Sequence, residues 1–480
     1  MSRYDVTDYG ATGDGTTDDT DAVQGAIEDC AAAGGGTVHL PAGEYVIEPV
    51  FLRDDVTLHL DGGATLLASE AIHDYSAMEG RRTGGEDERE RTVAAPISGQ
   101  GVENVGITGR GTIDGQGQVW WDAKAAGKLP EHGRPRLINL YDCENVLIRD
   151  VTIRDSPNWN IHPVYCENVT VDNVSIDSPA GSPNTDGINP ESCRNVHISN
   201  CHVTVGDDCI TIKSGSGEAA RRVGAPCENI TVTNCTMEAG HGGVVIGSEM
   251  SGDVRDVTVT NCSFRDTDRG VRIKTQRGRG GVVEDVRVAD VVMRRVACPF
   301  TINGYYFTDI DSEPEPVTEA TPMVRNVHYS NVSARDVESA GFFAGLPEQR
   351  FENVTFSNVE IEATRSLDAT DLSPVMADGY EQRHGLFCKS IGEIAFEDVR
   401  ISTADGPAMT FEETDRVTVE GLRVTARQDP PVVAADGVGE LLVGGCDIDS
   451  GVDPVLDERG EGVGEVSLRA NYGDLDDRIG

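Results

Sequence analysis

The chain has 480 residues, of which 82 are Asp or Glu and 40 are Lys or Arg, a formal net charge of −42. This balance excludes the basic face that nucleic-acid binding requires and argues against docking on anionic lipid. Charge alone would suit a disordered chain, but 38% apolar residues in regular short runs call for a core.

In chain order, the N-terminus Met1 to Asp5 shows no apolar signal region and no twin Arg, and no later run reaches the length of a membrane span. A soluble, cytoplasmic protein is expected. Residues 18–33 read as a helix capped by Asp18 to Asp21, with Val23, Ala26, Ile27 and Cys30 at i, i+3, i+4 and i+7, and ended by Gly34 to Gly36. Such a helix suits the open end of a solenoid, where core and sheet edges need a cover. The 12 Cys include no Cys-x-x-Cys pair, so they are expected as small buried core residues.

From Asn145 onward one phrase recurs: Asn or Asp, then two short runs of alternating apolar residues joined by a polar residue. It spans Asn145 to Ile153 and Asn168 to Ile176, then returns from Asn195, Asn229, Asp256, Asp285, Asn326 and Asn353 at intervals of 23 to 41 residues. Weaker copies start near Glu393, Arg416 and Glu440. A unit this short cannot bury its apolar face alone, so copies must stack. The pattern predicts an all-β chain, a parallel β-helix with one turn per repeat forming one domain over residues 1–480. A β-propeller fits worse, because its blades need four strands and regular closure. Polar residues such as Asn234, Asn331 and Asn358 are expected at corners. Polar segments 70–98, 308–322 and 364–390 read as loop insertions that shape a binding face.

Four segments carry side chains that a solenoid core does not need: Asn184 to Gly187 with Asp186, Gly206 to Cys209 with Asp207 and Asp208, Gly240 to Gly242 with His241, and Arg272 to Lys274. Each follows the previous one by about one coil, so stacking would bring them to one face at strand spacings of about 4.8 Å. Adjacent Asp207 and Asp208 would point to opposite faces of an ideal strand, which calls for a turn or bulge at Gly206. Residues 269–283 hold Arg269, Arg272, Lys274, Arg277 and Arg279 and no acid. In so acidic a chain this run suits an anionic ligand, with Arg as a fork for carboxylate and Lys as a point charge.

These segments resemble the signature of the polygalacturonase family, glycoside hydrolase family 28. Ser156 to Pro163, Gly243 to Gly252 and Asp268 to Gly281 are similar to its bacterial, exo-acting branch, and Asp8 to Gly15 resembles the entry to the wider pectate-lyase-like superfamily. The resemblance runs from about residue 5 to 400. It implies a right-handed parallel β-helix and an inverting hydrolase that cleaves α-1,4-galacturonosyl linkages of pectate or oligogalacturonates, with exo action. By the same resemblance Asp207 is the general acid, Asp186 and Asp208 hold the attacking water, and His241 supports the acid. Asn184, Arg272, Lys274 and Arg277 bind the acidic oligo- or polysaccharide, and either Tyr305 or Tyr306 supplies the family tyrosine. Trp159 and His162 lie one coil before the carboxylates, where a sugar subsite and core packing are both open readings. For an inverting pair, a carboxyl separation of roughly 6.5–9.5 Å leaves room for water. No metal and no cofactor is implied, and the sequence leaves the oligomeric state open. Rival readings are a hydrolase of rhamnogalacturonan or another uronate glycoside, a calcium-dependent pectate lyase, and a carbohydrate-binding β-helix without activity. The acid-rich, Lys-poor composition, with 35 Arg against 5 Lys, is read as a halophilic background, since a Debye length of about 3 Å at molar salt screens self-repulsion.

Overall fold

The computed structural model describes residues 2–78, 92–366, 377–426, 432–448 and 456–469. Its strands stack in parallel, turn upon turn, as a right-handed parallel β-helix, the hand that parallel crossovers adopt. The chain divides into two compact units, Met1–His241 and Gly242–Gly480.

In the first unit the leading Asn of each repeat sets the turn. Asn145, Asn168, Asn195 and Asn229 all have φ of 57–58°, a left-handed conformation that Asn tolerates better than most residues. Each amide donates to its counterpart one coil back: Asn168 Nδ2 to Asn145 Oδ1 at 3.1 Å, Asn195 to Asn168 at 3.0 Å, and Asn229 to Asn195 at 2.6 Å. Strands Glu144–Arg149, Glu167–Asp172 and Arg194–Ser199 then pair with Val146, Val169 and Val196 in register. The polar residue joining the two runs of a repeat is a second left-handed corner, as at Asn173 and Asn234, with φ of 55°. The third strand of each coil, including Ile97–Gln100, Ile138–Tyr141 and Ile161–Val164, extends through bridges Ile161–Ile188 and Ile188–Ile210. That line of strands carries the candidate acids.

The second unit repeats the coil with longer strands. Val282–Arg294, Met323–Val337, Glu352–Ala363 and Glu393–Thr403 run through the corner that splits their counterparts in the first unit. Asn331 and Asn358 occupy that corner with φ of 53° and 52°. Its core is aromatic: Tyr329, Phe356 and Phe396 stack on successive coils at 4.8 and 5.1 Å. The third strand of this unit runs Gly242–Gly247, Arg269–Lys274 and Cys298–Asn303.

The expected N-terminal helix is α1, Thr20–Ala32, with Val23, Ala26, Ile27 and Cys30 buried. Of the expected capping acids, Asp18 accepts from the Thr20 amide at the helix start at 3.0 Å, and Asp19 acts differently. The Asp19 side chain accepts from the Thr12 and Gly13 amides at 2.7 and 3.1 Å instead of from the helix, so it ties the preceding loop to the helix start. All twelve cysteines are buried. Of the expected insertions, 364–390 ends earlier than predicted, because Leu386–Lys389 is a parallel strand of the coil; 79–91 and 367–376 lie outside the described residues. A further insertion between strands Thr112–Asp114 and Ile138–Tyr141 holds a second helix, α2, Gln118–Ala125. Among the described residues no helix is long and apolar enough to cross a membrane.

Candidate active site

The bridge Ile188–Ile210 sets Asp186 level with Asp208 on neighbouring coils. The Gly187 amide donates to the Asp208 carbonyl at 3.0 Å. Asp207 sits in the bend just before strand Asp208–Ile212, so a bend, not a bulge, turns the two adjacent carboxylates. Gly206 is required there: a Cβ would lie 2.2 Å from the Ser182 carbonyl oxygen. Thr185 ties the two acid segments together, its hydroxyl accepting from the Gly206 amide at 3.0 Å. Asn160 Nδ2 donates to the Thr185 and Asp186 carbonyls at 3.1 and 3.0 Å and so fixes the first segment from the coil before.

Oxygens from Asp186, Asp207 and Asp208 all lie within 4.8 Å of one another. Measured oxygen to oxygen, this is tighter than the separation of roughly 6.5–9.5 Å expected for two carboxyls with water between them. The cause is the coil: side chains level on adjacent parallel strands stand about 4.8 Å apart. Asp186 and Asp208 are 3% and 1% exposed, whereas the Asp207 side chain is 17% exposed. Asp207 Oδ1 accepts from the Asp208 amide at 2.9 Å and faces His241 Nδ1 at 3.3 Å; Oδ2 accepts from Asn184 Nδ2 at 3.3 Å. The His241 amide also donates to the Asp207 carbonyl at 3.0 Å. Gly240 permits that approach, since its φ is +81° and a Cβ would meet the same carbonyl at 2.3 Å. The crowded acids also push the neighbouring Cys209 thiol well up, burial being the larger cause. Among the described residues this trio is the set whose oxygens converge closely enough to hold a cation.

Trp159 and His162 form a separate cluster on the same line of strands. Arg136 and Lys213 lie 4.9 and 4.7 Å from the Trp159 ring, and His162 meets it edge-on at 4.7 Å. His162 Nε2 bonds Glu191 at 2.8 Å, and burial pushes its pKa down to about 4, with Arg136 adding to the shift. His162 is thus a buried neutral residue, and the Trp159 ring is shared with two cations.

In the second unit, Arg272 and Lys274 are 1% and 7% exposed and sit 5.2 and 5.3 Å from the Tyr306 ring centre. Tyr305 instead packs in the core with Cys298, Phe342 and Phe387, and burial raises its hydroxyl pKa. Of the two tyrosines, Tyr306 stands beside Arg272 and Lys274, whereas Arg277 lies 5.8 Å from the Tyr305 ring centre. Part of the expected cation run is engaged within the protein. Arg277 is held bidentately by Glu348 at 2.6 and 2.9 Å, Arg269 faces Asp268 at 3.4 Å, and Arg279 bonds the Ser248 hydroxyl at 3.2 Å. The Arg277 fork already grips a carboxylate of the protein's own, supplied 71 positions later.

Two residues beside the acids escaped the sequence reading. Lys124, on α2, donates to Asn184 Oδ1 at 2.5 Å, and Arg134 Nη2 donates to the same oxygen at 2.7 Å. Trp120 and Trp121 anchor α2. Trp120 is fully buried against Tyr75 at 5.3 Å, and Trp121 Nε1 donates to the Ser156 carbonyl at 3.2 Å. Trp121 and Lys124, three positions apart, share a helix face. The available signal was scarcity, because Lys124 is one of five lysines in the chain.

The pattern of glycosyl hydrolases family 28 matches residues 30–379. A probable polygalacturonase of Vitis vinifera is 36% identical over 366 residues, covering 74% of this chain and 73% of its own. An endo-polygalacturonase of Pectobacterium carotovorum subsp. carotovorum is 33% identical over 302 residues, 60% of this chain and 72% of its own. The crystal structure of a hyperthermoactive exopolygalacturonase from Thermotoga maritima superposes with a TM-score of 0.69 at 29% identity, over 83% of this chain and 91% of that one. The chain belongs to glycosyl hydrolase family 28 and is a glycoside hydrolase.

Proposed function

We propose that this protein hydrolyses α-1,4-galacturonosyl linkages of pectate or oligogalacturonates with inversion, in exo fashion. The observation that carries the reading is the convergence of Asp186, Asp207 and Asp208 within 4.8 Å. At an effective dielectric near 20, two unit charges at that distance interact by on the order of 3 kcal/mol, so the three carboxyls act on one another strongly. Asp207 is the member that hands a proton to the leaving oxygen, because it alone of the three is partly exposed and is steadied by His241 and Asn184.

Asp186 and Asp208 then hold the attacking water. On the scale set by two-carboxylate sites, a separation near 5 Å belongs to retaining enzymes. A third carboxylate changes that geometry: two buried acids hold water from one side while Asp207 protonates the leaving group. In the second unit Arg272 and Lys274, against Tyr306, offer the chemistry that a sugar carboxylate needs. Exo action is supported by the likeness to the Thermotoga maritima exopolygalacturonase and by the added α2 segment beside Asn184. The acidic composition fits work at high salt.

The test is incubation with tri- and tetragalacturonate in high salt, following the anomeric protons of the earliest products by NMR. Release of single terminal units with inverted configuration is expected. Retained configuration would overturn the water-nucleophile reading, and internal cleavage would overturn exo action.

A further inference from the structure

Lys124 and Arg134 bring two positive charges to one neutral oxygen. The Lys124 ammonium meets Asn184 Oδ1 at 2.5 Å. Arg134 spends its guanidinium on the same oxygen at 2.7 Å and on the Pro157 and Pro183 carbonyls at 2.8 Å each. In a chain with twice as many acids as bases, neither cation has a carboxylate as its hydrogen-bond partner among the described residues. Burial lowers the Lys124 pKa and Arg134 beside it adds to the effect, against the opposing pull of the Asp207 charge. Two like charges hydrogen-bonded to neutral oxygens still gain from an anion that arrives from outside.

The place for that anion lies next to them. A cavity of 560 Å³ is lined by Lys124, Gln118, Trp121, Asp122, Pro179 and Ser182, a size in the range of about 300–1,000 Å³ for small-molecule sites. Trp121 and Pro179 offer apolar surface for the C–H face of a pyranose, and Lys124 offers the charge. Asp122, the acid on the rim among the described residues, already accepts from Gln118 Nε2 at 2.8 Å. The cavity stands one amide away from the reacting group, since the same Asn184 donates to Asp207 Oδ2 at 3.3 Å.

We propose that Lys124 receives the carboxylate of a uronate residue on the Asn184 side of Asp207, and that Arg134 is a positioning residue that holds Asn184 for it. The proposal rests on the hydrolase reading above and names a specificity determinant within it. An uncharged sugar at the Lys124 position is then rejected.

The experiment compares Lys124→Gln, Lys124→Arg and Lys128→Gln with the unaltered protein. Gln at position 124 keeps a donor for Asn184 and loses the charge; Lys128 removes the same charge elsewhere in the segment. For trigalacturonate, Lys124→Gln should raise KM about tenfold with kcat within about twofold, the size of one charged hydrogen bond. Lys124→Arg should recover most of the loss, and Lys128→Gln should match the unaltered protein. An unchanged KM, or a fall in kcat with KM constant, would overturn the proposal and reduce Lys124 to a prop for Asn184. Absence of turnover by the unaltered protein would instead defeat the hydrolase reading. The carboxylate site is then judged by calorimetry with digalacturonate and its uncharged α-1,4-digalactose counterpart. About tenfold weaker digalacturonate binding in Lys124→Gln, with no change for digalactose, sustains it, and equal binding by the two proteins overturns it.

Discussion

The third strand of the first unit and the third strand of the second treat charge in opposite ways. In the first, Asp186, Asp207 and Asp208 are packed within 4.8 Å of each other, a crowding that folding alone would avoid. In the second, the cations that look most exposed to a ligand in the sequence are largely engaged within the protein, Arg277 by Glu348 and Arg269 by Asp268. Like charges collected at one spot and an unopposed run along the chain are therefore different signals. A run is opposed or not only after the chain has folded. Crowding set by the coil spacing survives every choice of loop.

The largest test of this contrast removes one acid. Asp207→Asn keeps the shape of the side chain and should lower kcat on trigalacturonate by about 10²–10⁴-fold with an unchanged circular dichroism spectrum; near-normal turnover would take the proton-transfer role away from the first unit. Next in size is the cation side. Arg272→Gln should reduce kcat/KM by up to about a hundredfold, while Arg277→Gln, which disturbs only the pair with Glu348, should leave kcat/KM within about threefold and lower the urea midpoint instead. Equal losses in the two variants would erase the distinction drawn within the run.

A smaller effect concerns pH. His162 is held neutral by burial, with its pKa lowered to about 4, so the unfolded chain takes up a proton first as pH falls. Stability from this group is complete above about pH 6.5 and is lost as pH drops towards 4. His162→Gln should therefore flatten the loss of unfolding free energy between pH 7 and 4.5 by about 2 kcal/mol; an identical slope would mean that His162 is charged in the fold. The smallest change is at the corners. Asn168→Ala should cost about 1 kcal/mol for a left-handed residue without its amide ladder, read as a lower thermal midpoint with kcat intact.

The repeat was legible because its physics is local. Alternating apolar residues must face a core, and a leading Asn tolerates the left-handed turn, so Asn145, Asn168 and Asn195 marked the coils before any coordinates. The acids were legible for the same reason: Asp186 and Asp208 are one coil apart, and the coil spacing does the rest. The insertion holding α2 was not legible, because its eight residues, Gln118–Ala125, interrupt no repeat copy and its Trp pair reads as ordinary core. The Arg277–Glu348 pair was not legible because Glu348 lies 71 residues away, beyond any pattern of neighbours.

By itself, then, the sequence determined the parallel coil, its left-handed corners and the three carboxylates that share one face, since each depends on period and on the residue at a turn. Tertiary structure alone decided that Arg277 pairs with Glu348, which tyrosine ring stands beside Arg272 and Lys274, and that Lys124 and Arg134 come to rest on Asn184. Those outcomes depend on where long side chains end, and a Lys or Arg side chain can reach partners from coils and insertions that are far apart in the chain.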